Sequence, residues 1–154
     1  MKSSLTIEKK VNVAVIGASG HASVELIKLL AGHPRINISA LATGNPQSAG
    51  KHIAEVRAEL RDVIDLICES LQPGEIADRC DIAIATTPAK ESLDYIPGII
   101  AGGRKCIDLS GAYRLHDASV FKQHYDFEHS DPENLQHAVY GLPELFRERI
   151  RNAT

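Results

Sequence analysis

The 154-residue sequence predicts an α/β fold built on a doubly wound, mainly parallel sheet, and three observations lead there. Short apolar runs rich in Val, Ile and Ala alternate with helix-forming stretches, the pattern of a sheet buried on both faces. The first run stops at Gly17-Ala18-Ser19-Gly20 and leads straight into helix formers. Strand, glycine turn, helix and strand follow within about 30 residues, a βαβ unit whose handedness rule makes its strands parallel.

Each element has a local reason. Val11-Asn12-Val13-Ala14-Val15-Ile16 is largely β-branched and bounded by Gly17, as buried strands are. Residues 20–31 carry Val24, Leu26, Ile27, Leu29 and Leu30 almost all round, as in a helix laid on a sheet, and Gly32-His33-Pro34 stops it. Ile36–Ala42 reads as the second strand and residues 43–51, rich in Gly, Asn, Pro and Ser, as a loop. Residues 53–71 fit either one amphipathic helix or a short helix followed by a strand at 64–68; the second is favoured. Pro73–Arg79 reads as a short helix with proline near its start. Residues 81–86 (DIAIAT) read as a buried strand, and residues 91–101 as a helix that Pro97 is expected to kink or restart. Gly102-Gly103 then precedes a strand at 105–109 (KCIDL). Four or five strands alternating with helices make the sheet Rossmann-like. Beyond Ser110 the chain is more polar; residues 117–125 predict a helix capped by Asp117, and Pro143–Arg151 another. Residues 1–10 read as a flexible leader and residues 11–154 as one domain.

Composition narrows the function. Seventeen Lys+Arg against 20 Asp+Glu give a net charge of −3, with 44% hydrophobic and 24% charged residues, ordinary for a soluble globular domain. The basic residues form no patch, so nucleic acid is not an expected partner. No run approaches the roughly 20 apolar residues of a membrane span, and the polar start MKSSLTIEKK is not a signal peptide. Cys68, Cys80 and Cys106 are odd in number and form no C-x-x-C pair. They imply reduced thiols in a cytoplasmic setting, with no disulfide scaffold and no metal site. All three lie in or beside apolar strand runs, so they read as packing groups rather than nucleophiles. His116, His124, His129 and His137 have no ligand-like spacing and read as surface histidines.

The chemistry lies in the glycine turn. Gly17 permits a sharp turn, Gly20 lets backbone N–H groups approach a phosphate, and the helix start offers unpaired donors and a positive dipole end. A third glycine is usual at position 23; Ser23 replaces it with another small residue. In this strand-to-helix context the turn predicts dinucleotide binding by Gly17, Ala18, Ser19, Gly20, His21 and Ala22. His21 either stacks or donates at the pyrophosphate, or is an exposed loop residue. The second strand ends in Ala42-Thr43-Gly44-Asn45, without the acid that NAD sites usually place there. That favours NADP, with Thr43, Asn45 or the more distant Lys51 as partners for the 2′-phosphate. Thr87 and Pro88 end a strand on the edge where such folds bind ligands. A Tyr-x-x-x-Lys dehydrogenase pair is absent, since Ile99, Asp117, His129 and Glu144 follow the four tyrosines at that spacing.

Several ordered segments resemble one family. They are Gly17-Ala18-Ser19-Gly20 with Glu25-Leu26, Ala49-Gly50-Lys51, Ile107-Asp108-Leu109-Ser110-Gly111 with Tyr113-Arg114-Leu115, Phe127-Glu128-His129, and Val139-Tyr140-Gly141-Leu142-Pro143-Glu144. Together they are similar to the N-terminal, NADP-binding part of the N-acetyl-gamma-glutamyl-phosphate reductases. The resemblance implies NADPH-dependent reduction of a small acyl-phosphate substrate to an aldehyde in arginine biosynthesis. It also implies a homo-oligomer at full length. It adds Ser110 and Gly111 as cofactor contacts. Arg114 either holds a substrate carboxylate or phosphate or makes a surface ion pair with Asp108 or Asp117. Tyr140 and Glu144 would brace the loop of the family's nucleophilic cysteine. That cysteine lies in an Asn-Pro-Gly-Cys segment, and the family's catalytic histidine in a second domain; neither occurs in these residues, so no catalytic residue is assigned here. The family's usual Tyr-Thr-Gly reads His21-Ala22-Ser23, its Leu-Pro-His-Gly reads Thr87-Pro88-Ala89-Lys90, its Ser-Gly-Asp-Phe-Arg has Ala112 for the acid, and the arginine after the second strand is Gly44. The departures at Ser23, Ala89 and Ala112, with the missing cysteine, motivate a competitor, a stand-alone, non-catalytic nucleotide-sensing or scaffold module; a third reading is a different small dehydrogenase using one of the visible cysteines.

Overall fold

In the computed structural model, which describes residues 9–153, five strands form one parallel sheet in the order β3-β2-β1-β4-β5. The expected leader at 1–10 lies almost wholly outside the described residues. The strands are β1 (Val11–Ile16), β2 (Ile36–Ala42), β3 (Cys68–Glu69), β4 (Ile82–Ala85) and β5 (Lys105–Asp108). The chain steps outward from β1 through β2 to β3, then returns to the other side of β1 for β4 and β5. This reversal puts a crevice beyond the C-terminal ends of β1 and β4, where Ile16 and Ala85 are register partners.

Side-chain size sorts the two faces. Val13 and Val15 point to one side with Ile38 and Leu41, and helix α1 (His21–Ala31) covers them with Val24, Ile27 and Leu30. On the other side Ala14, Ala40, Ala42, Ala83 and Ala85 form a floor of small residues. Helices α3 (Pro73–Arg79) and α4 (Ala89–Ala101) lie on it through Ile76, Ile96 and Ile99. A strand buried on both faces cannot alternate apolar with polar, which is why β1 and β4 read as continuous apolar runs.

Two expectations are corrected in this region. Residues 53–71 hold a short helix α2 (Ile53–Val56) and a 3-10 turn (Ala58–Leu60), but the strand is only Cys68–Glu69 rather than 64–68. Ile64 and Leu66 pack on the core from a loop while Ile67 is exposed; pairing with Leu41 and Ala42, rather than local apolarity, sets this strand. The helix at 91–101 starts earlier, at Ala89, and runs through Pro97 as one element, because its buried face is anchored on both sides by Ile96 and Ile99.

The final third adds no strand. Helix α5 (Ala118–Tyr125) is capped as expected, Asp117 accepting from the Ser119 and Val120 N–H groups. Helix α7 (Pro143–Arg151) matches the sequence expectation, whereas α6 (Pro132–His137), capped by Asp131, is an element the sequence reading lacks. A satellite core of rings centres on Phe121, stacked on Tyr125 at 4.5 Å and meeting Phe127 and His129 edge-on at 5.2 and 4.9 Å. His129 is therefore buried, not a surface residue. Its Nε2 donates to the Ala112 carbonyl and its Nδ1 accepts from the Asp131 N–H, so both ring nitrogens are satisfied inside.

Candidate functional site

The glycine turn is fixed by hydrogen bonds from both neighbouring strands. The Gly17 and Ala18 N–H groups donate to the Ala42 carbonyl at 2.9 and 3.0 Å, tying the turn to the end of β2. From the β4 side, the Thr86 hydroxyl donates to the Ile16 and Gly17 carbonyls at 2.8 and 3.2 Å. Gly17 has φ +82°, and a Cβ there would lie 2.9 Å from both Thr86 Oγ1 and Thr87 Cγ2. Only glycine meets both demands. Ser23, fully buried, does more than fill the third glycine position: its hydroxyl lies 2.7 Å from the Ala18 carbonyl and 2.6 Å from that of Gly20.

The start of α1 is built for an anion. Gly20 is its N-cap, no side chain caps the free N–H groups, and no acid occupies the first turn. The Gly20 N–H is taken by the Gly17 carbonyl at 2.9 Å, so the N–H groups that follow it, on His21 and Ala22, and the positive end of the helix dipole are what the helix start offers beside the turn.

A cleft of about 540 Å³ opens there, within the roughly 300–1,000 Å³ of ordinary small-molecule sites. Gly17, Ser19, Gly20, Thr87 and Pro88, all expected from the sequence, line it together with Gly44 and Asn45 after β2. Ala18 and Thr43 are buried behind that lining rather than in it. The Thr43 hydroxyl sits 3.1 Å from Ser19 Oγ and accepts from the Asn45 N–H at 3.1 Å, so it joins the turn to the loop after β2. His21 and Ala22 lie exposed on the first turn of α1, outside the lining.

Ser110 and Gly111 do not line the cleft. Gly111 is packed against the Tyr125 hydroxyl. Ser110 ends a relay that starts inside the cleft: Thr87 Oγ1 to Ser92 Oγ at 3.0 Å, Ser92 to Asp108 Oδ1 at 3.1 Å, and Ser110 Oγ to Asp108 Oδ2 at 2.7 Å. The end of β4 is thereby fixed to the turn after β5. Arg114, Tyr140 and Glu144 are exposed on the C-terminal segment, away from the cleft. Arg114 reaches only the Ser110 carbonyl, at 3.4 Å; among the described residues it pairs with neither Asp108 nor Asp117.

Sequence reasoning missed the wall opposite the turn. Gln72 and Pro73 from the start of α3, and Glu91, Asp94 and Tyr95 from α4, complete the lining. Burial, then the charges of Glu91 and Asp94, push the Tyr95 phenol up, leaving a neutral hydroxyl. The helical pattern predicted α4 but not which turn of it reaches the cleft. Thr86 had a signal, since it adjoins the expected Thr87-Pro88 pair.

Cys68 and Cys80 are buried and Cys106 is half-buried. Burial pushes the thiols of Cys68 and Cys80 up. Burial, Asp108 and Cys80 together push Cys106 up to about 12. A thiol raised in this way carries little thiolate at neutral pH, which weighs against a dehydrogenase acting through a visible cysteine.

Comparison with known proteins agrees with this geometry. The N-acetyl-gamma-glutamyl-phosphate reductase of Geotalea daltonii is 42% identical over 141 residues, which is 92% of this chain and 40% of that protein. That of Desulfotalea psychrophila is 44% identical over 140 residues, 91% of this chain and 40% of the relative. The chain thus spans about two fifths of the length of these curated relatives. Aspartate semialdehyde dehydrogenase II of Vibrio cholerae shares the fold, with a TM-score of 0.64 at 18% identity over 94% of this chain and 36% of that one. No helix among the described residues is long and apolar enough to cross a membrane. The family model for the NAD binding domain of semialdehyde dehydrogenase matches residues 12–153, and the chain belongs to that family.

Proposed function

We propose that this chain is the NADP-binding domain of an N-acetyl-gamma-glutamyl-phosphate reductase, which reduces N-acetyl-glutamyl phosphate to the semialdehyde with release of phosphate in arginine biosynthesis. The observation that carries the reading is the uncapped start of α1, held beside Gly17–Gly20 at the reversal of strand order and opening into the cleft. Relatives above 40% identity carry that name.

The residues divide the work by chemistry. The first-turn N–H groups of α1 hold the pyrophosphate, and Gly17, Ser19 and Gly20 keep side-chain bulk away from it. Thr87 and Pro88 bound the cleft at the end of β4. Glu91 and Asp94 repel phosphate from the opposite wall and suit ribose hydroxyls, which orients an anionic ligand toward the turn. The end of β2, Thr43-Gly44-Asn45, places no carboxylate against a 2′-phosphate. Bound NADPH supplies hydride; this chain's part is to bind and orient it. Acyl transfer needs a thiolate that Cys68, Cys80 and Cys106 are not placed to provide, so the nucleophile is the cysteine of the whole enzyme's Asn-Pro-Gly-Cys segment. Arg114, Tyr140 and Glu144, each exposed beyond β5, are suited to face the rest of the enzyme and its small acyl-phosphate substrate. The whole enzyme is a cytoplasmic homo-oligomer.

The test is a fluorescence titration. The sequence has no Trp, so NADPH emission is read without a tryptophan background. Saturable binding of NADPH, tighter than NADH, and no reduction of acyl phosphate by this chain are expected. Flat titrations would overturn the cofactor reading, and turnover would overturn the division of labour.

A further inference from the structure

The loop after β2 carries no arginine or lysine at Thr43-Gly44-Asn45, where a 2′-phosphate needs a cation, and Lys51 at its far end is exposed and outside the cleft lining. Arg57 supplies one from elsewhere in the chain. It stands between α2 and the 3-10 turn, 38 residues beyond the glycine turn, and its side chain crosses to the Ser19 carbonyl. Nε donates at 2.7 Å and Nη2 donates to the same oxygen. The backbone of Arg57 is pinned by its N–H to Ile53 O at 2.7 Å and its carbonyl to Leu60 N at 3.0 Å. Ile53 and Leu60 are both fully buried in the α1 face of the core, so the guanidinium is delivered from a rigid base.

Two features show that this arginine is more than a brace. A guanidinium has five N–H donors in a planar fork, and two go to Ser19, leaving Nη1 without a partner among the described residues. Its charge is also unneutralised: among the described residues no carboxylate lies within ion-pair distance of it. The residue it grips is the one whose hydroxyl meets Thr43 at the end of β2, the strand end that takes the adenosine ribose in such folds. Arg57 itself is outside the cleft lining, but it holds a fixed cation without a carboxylate partner on the backbone of Ser19, a lining residue next to the end of β2, and a planar fork matches a phosphate better than a point charge does.

We infer that Arg57 is the specificity-determining contact for the 2′-phosphate, selecting NADP over NAD. This rests on the dinucleotide reading above. The test measures dissociation constants of NADPH and NADH for the unaltered chain, Arg57→Gln and Arg57→Lys. Arg57→Gln should weaken NADPH by about tenfold or more, as loss of a charge-assisted contact does, and leave NADH unchanged. Arg57→Lys should fall between. Unchanged NADH affinity also shows that the variant is folded with its turn intact. Equal weakening of both cofactors would overturn the inference and reduce Arg57 to a support for Ser19. So would no change in either, or an unaltered chain that binds both cofactors equally. If the unaltered chain binds neither, the dinucleotide reading itself has failed.

Discussion

Replacing Gly17 by alanine loads the site at its most constrained atom. The residue sits at φ +82°, where an L side chain costs about 1–2 kcal/mol in backbone strain. The new methyl would stand 2.9 Å from Thr86 Oγ1 and from Thr87 Cγ2, and 3.3 Å from the Thr86 carbonyl carbon. The Thr86 hydroxyl is held by two carbonyls and cannot simply rotate away. Relieving that overlap adds about 1–3 kcal/mol, for a total near 2–5 kcal/mol. At about 2–4 °C per kcal/mol for a chain of this size, the melting midpoint should fall by roughly 10 °C. Gly50 is the control, with φ +80° but nothing within 4 Å of an added methyl, so Gly50→Ala should lose only the backbone part, about 1–2 kcal/mol. Thermal melts by circular dichroism compare the two, and NADPH titration should show that Gly17→Ala alone weakens binding. Equal melting points for the two variants would refute the steric argument.

Two further outcomes follow from charge and burial. The Ser119 hydroxyl, then the Ser119 and Val120 N–H groups, hold the Asp117 carboxyl below its ordinary value. Its folded-state value is depressed, so its stabilisation is present above an unfolded pKa of about 3.9 and fades as pH falls through the folded value. Asp117→Asn should therefore show a smaller loss of melting temperature than the unaltered chain between about pH 5 and pH 2. Burial also predicts that at pH 8 a maleimide or disulfide reagent labels Cys68 and Cys80 slowly in the native chain and fast in denaturant, and half-buried Cys106, its thiol pushed up to about 12, should follow them. Rapid native labelling of any one would contradict the packing described.

Legibility in the sequence follows the range of the interaction that sets each feature. The β1-turn-α1-β2 unit is specified locally, by β-branched residues, Gly17 and Gly20, and the His33-Pro34 stop, and its second strand begins and ends where expected. Cys68–Glu69 is a strand because Leu41 and Ala42 lie beside it, a partnership no local pattern encodes. The Asp131-Pro132 pair does carry a cap-and-start signal for α6, hidden by the polarity of the six-residue helix. His129 is buried by rings that converge from α5 (Phe121) and from the turn after β5 (Tyr113), so its isolation in sequence points the wrong way. At the site, the turn and Thr87-Pro88 are legible because strand ends mark such crevices. Arg57, Glu91 and Asp94 are not, since their positions depend on how α2 and α4 dock.

The central claim is that the start of α1 beside the glycine turn binds a dinucleotide, and amide chemical shifts measured while NADPH is added test it most directly. The largest shifts should fall on the N–H groups of Ser19, Gly20, His21 and Ala22, with smaller ones at Asn45 and Thr87. Saturating shifts confined to other residues, or none at all, would contradict it.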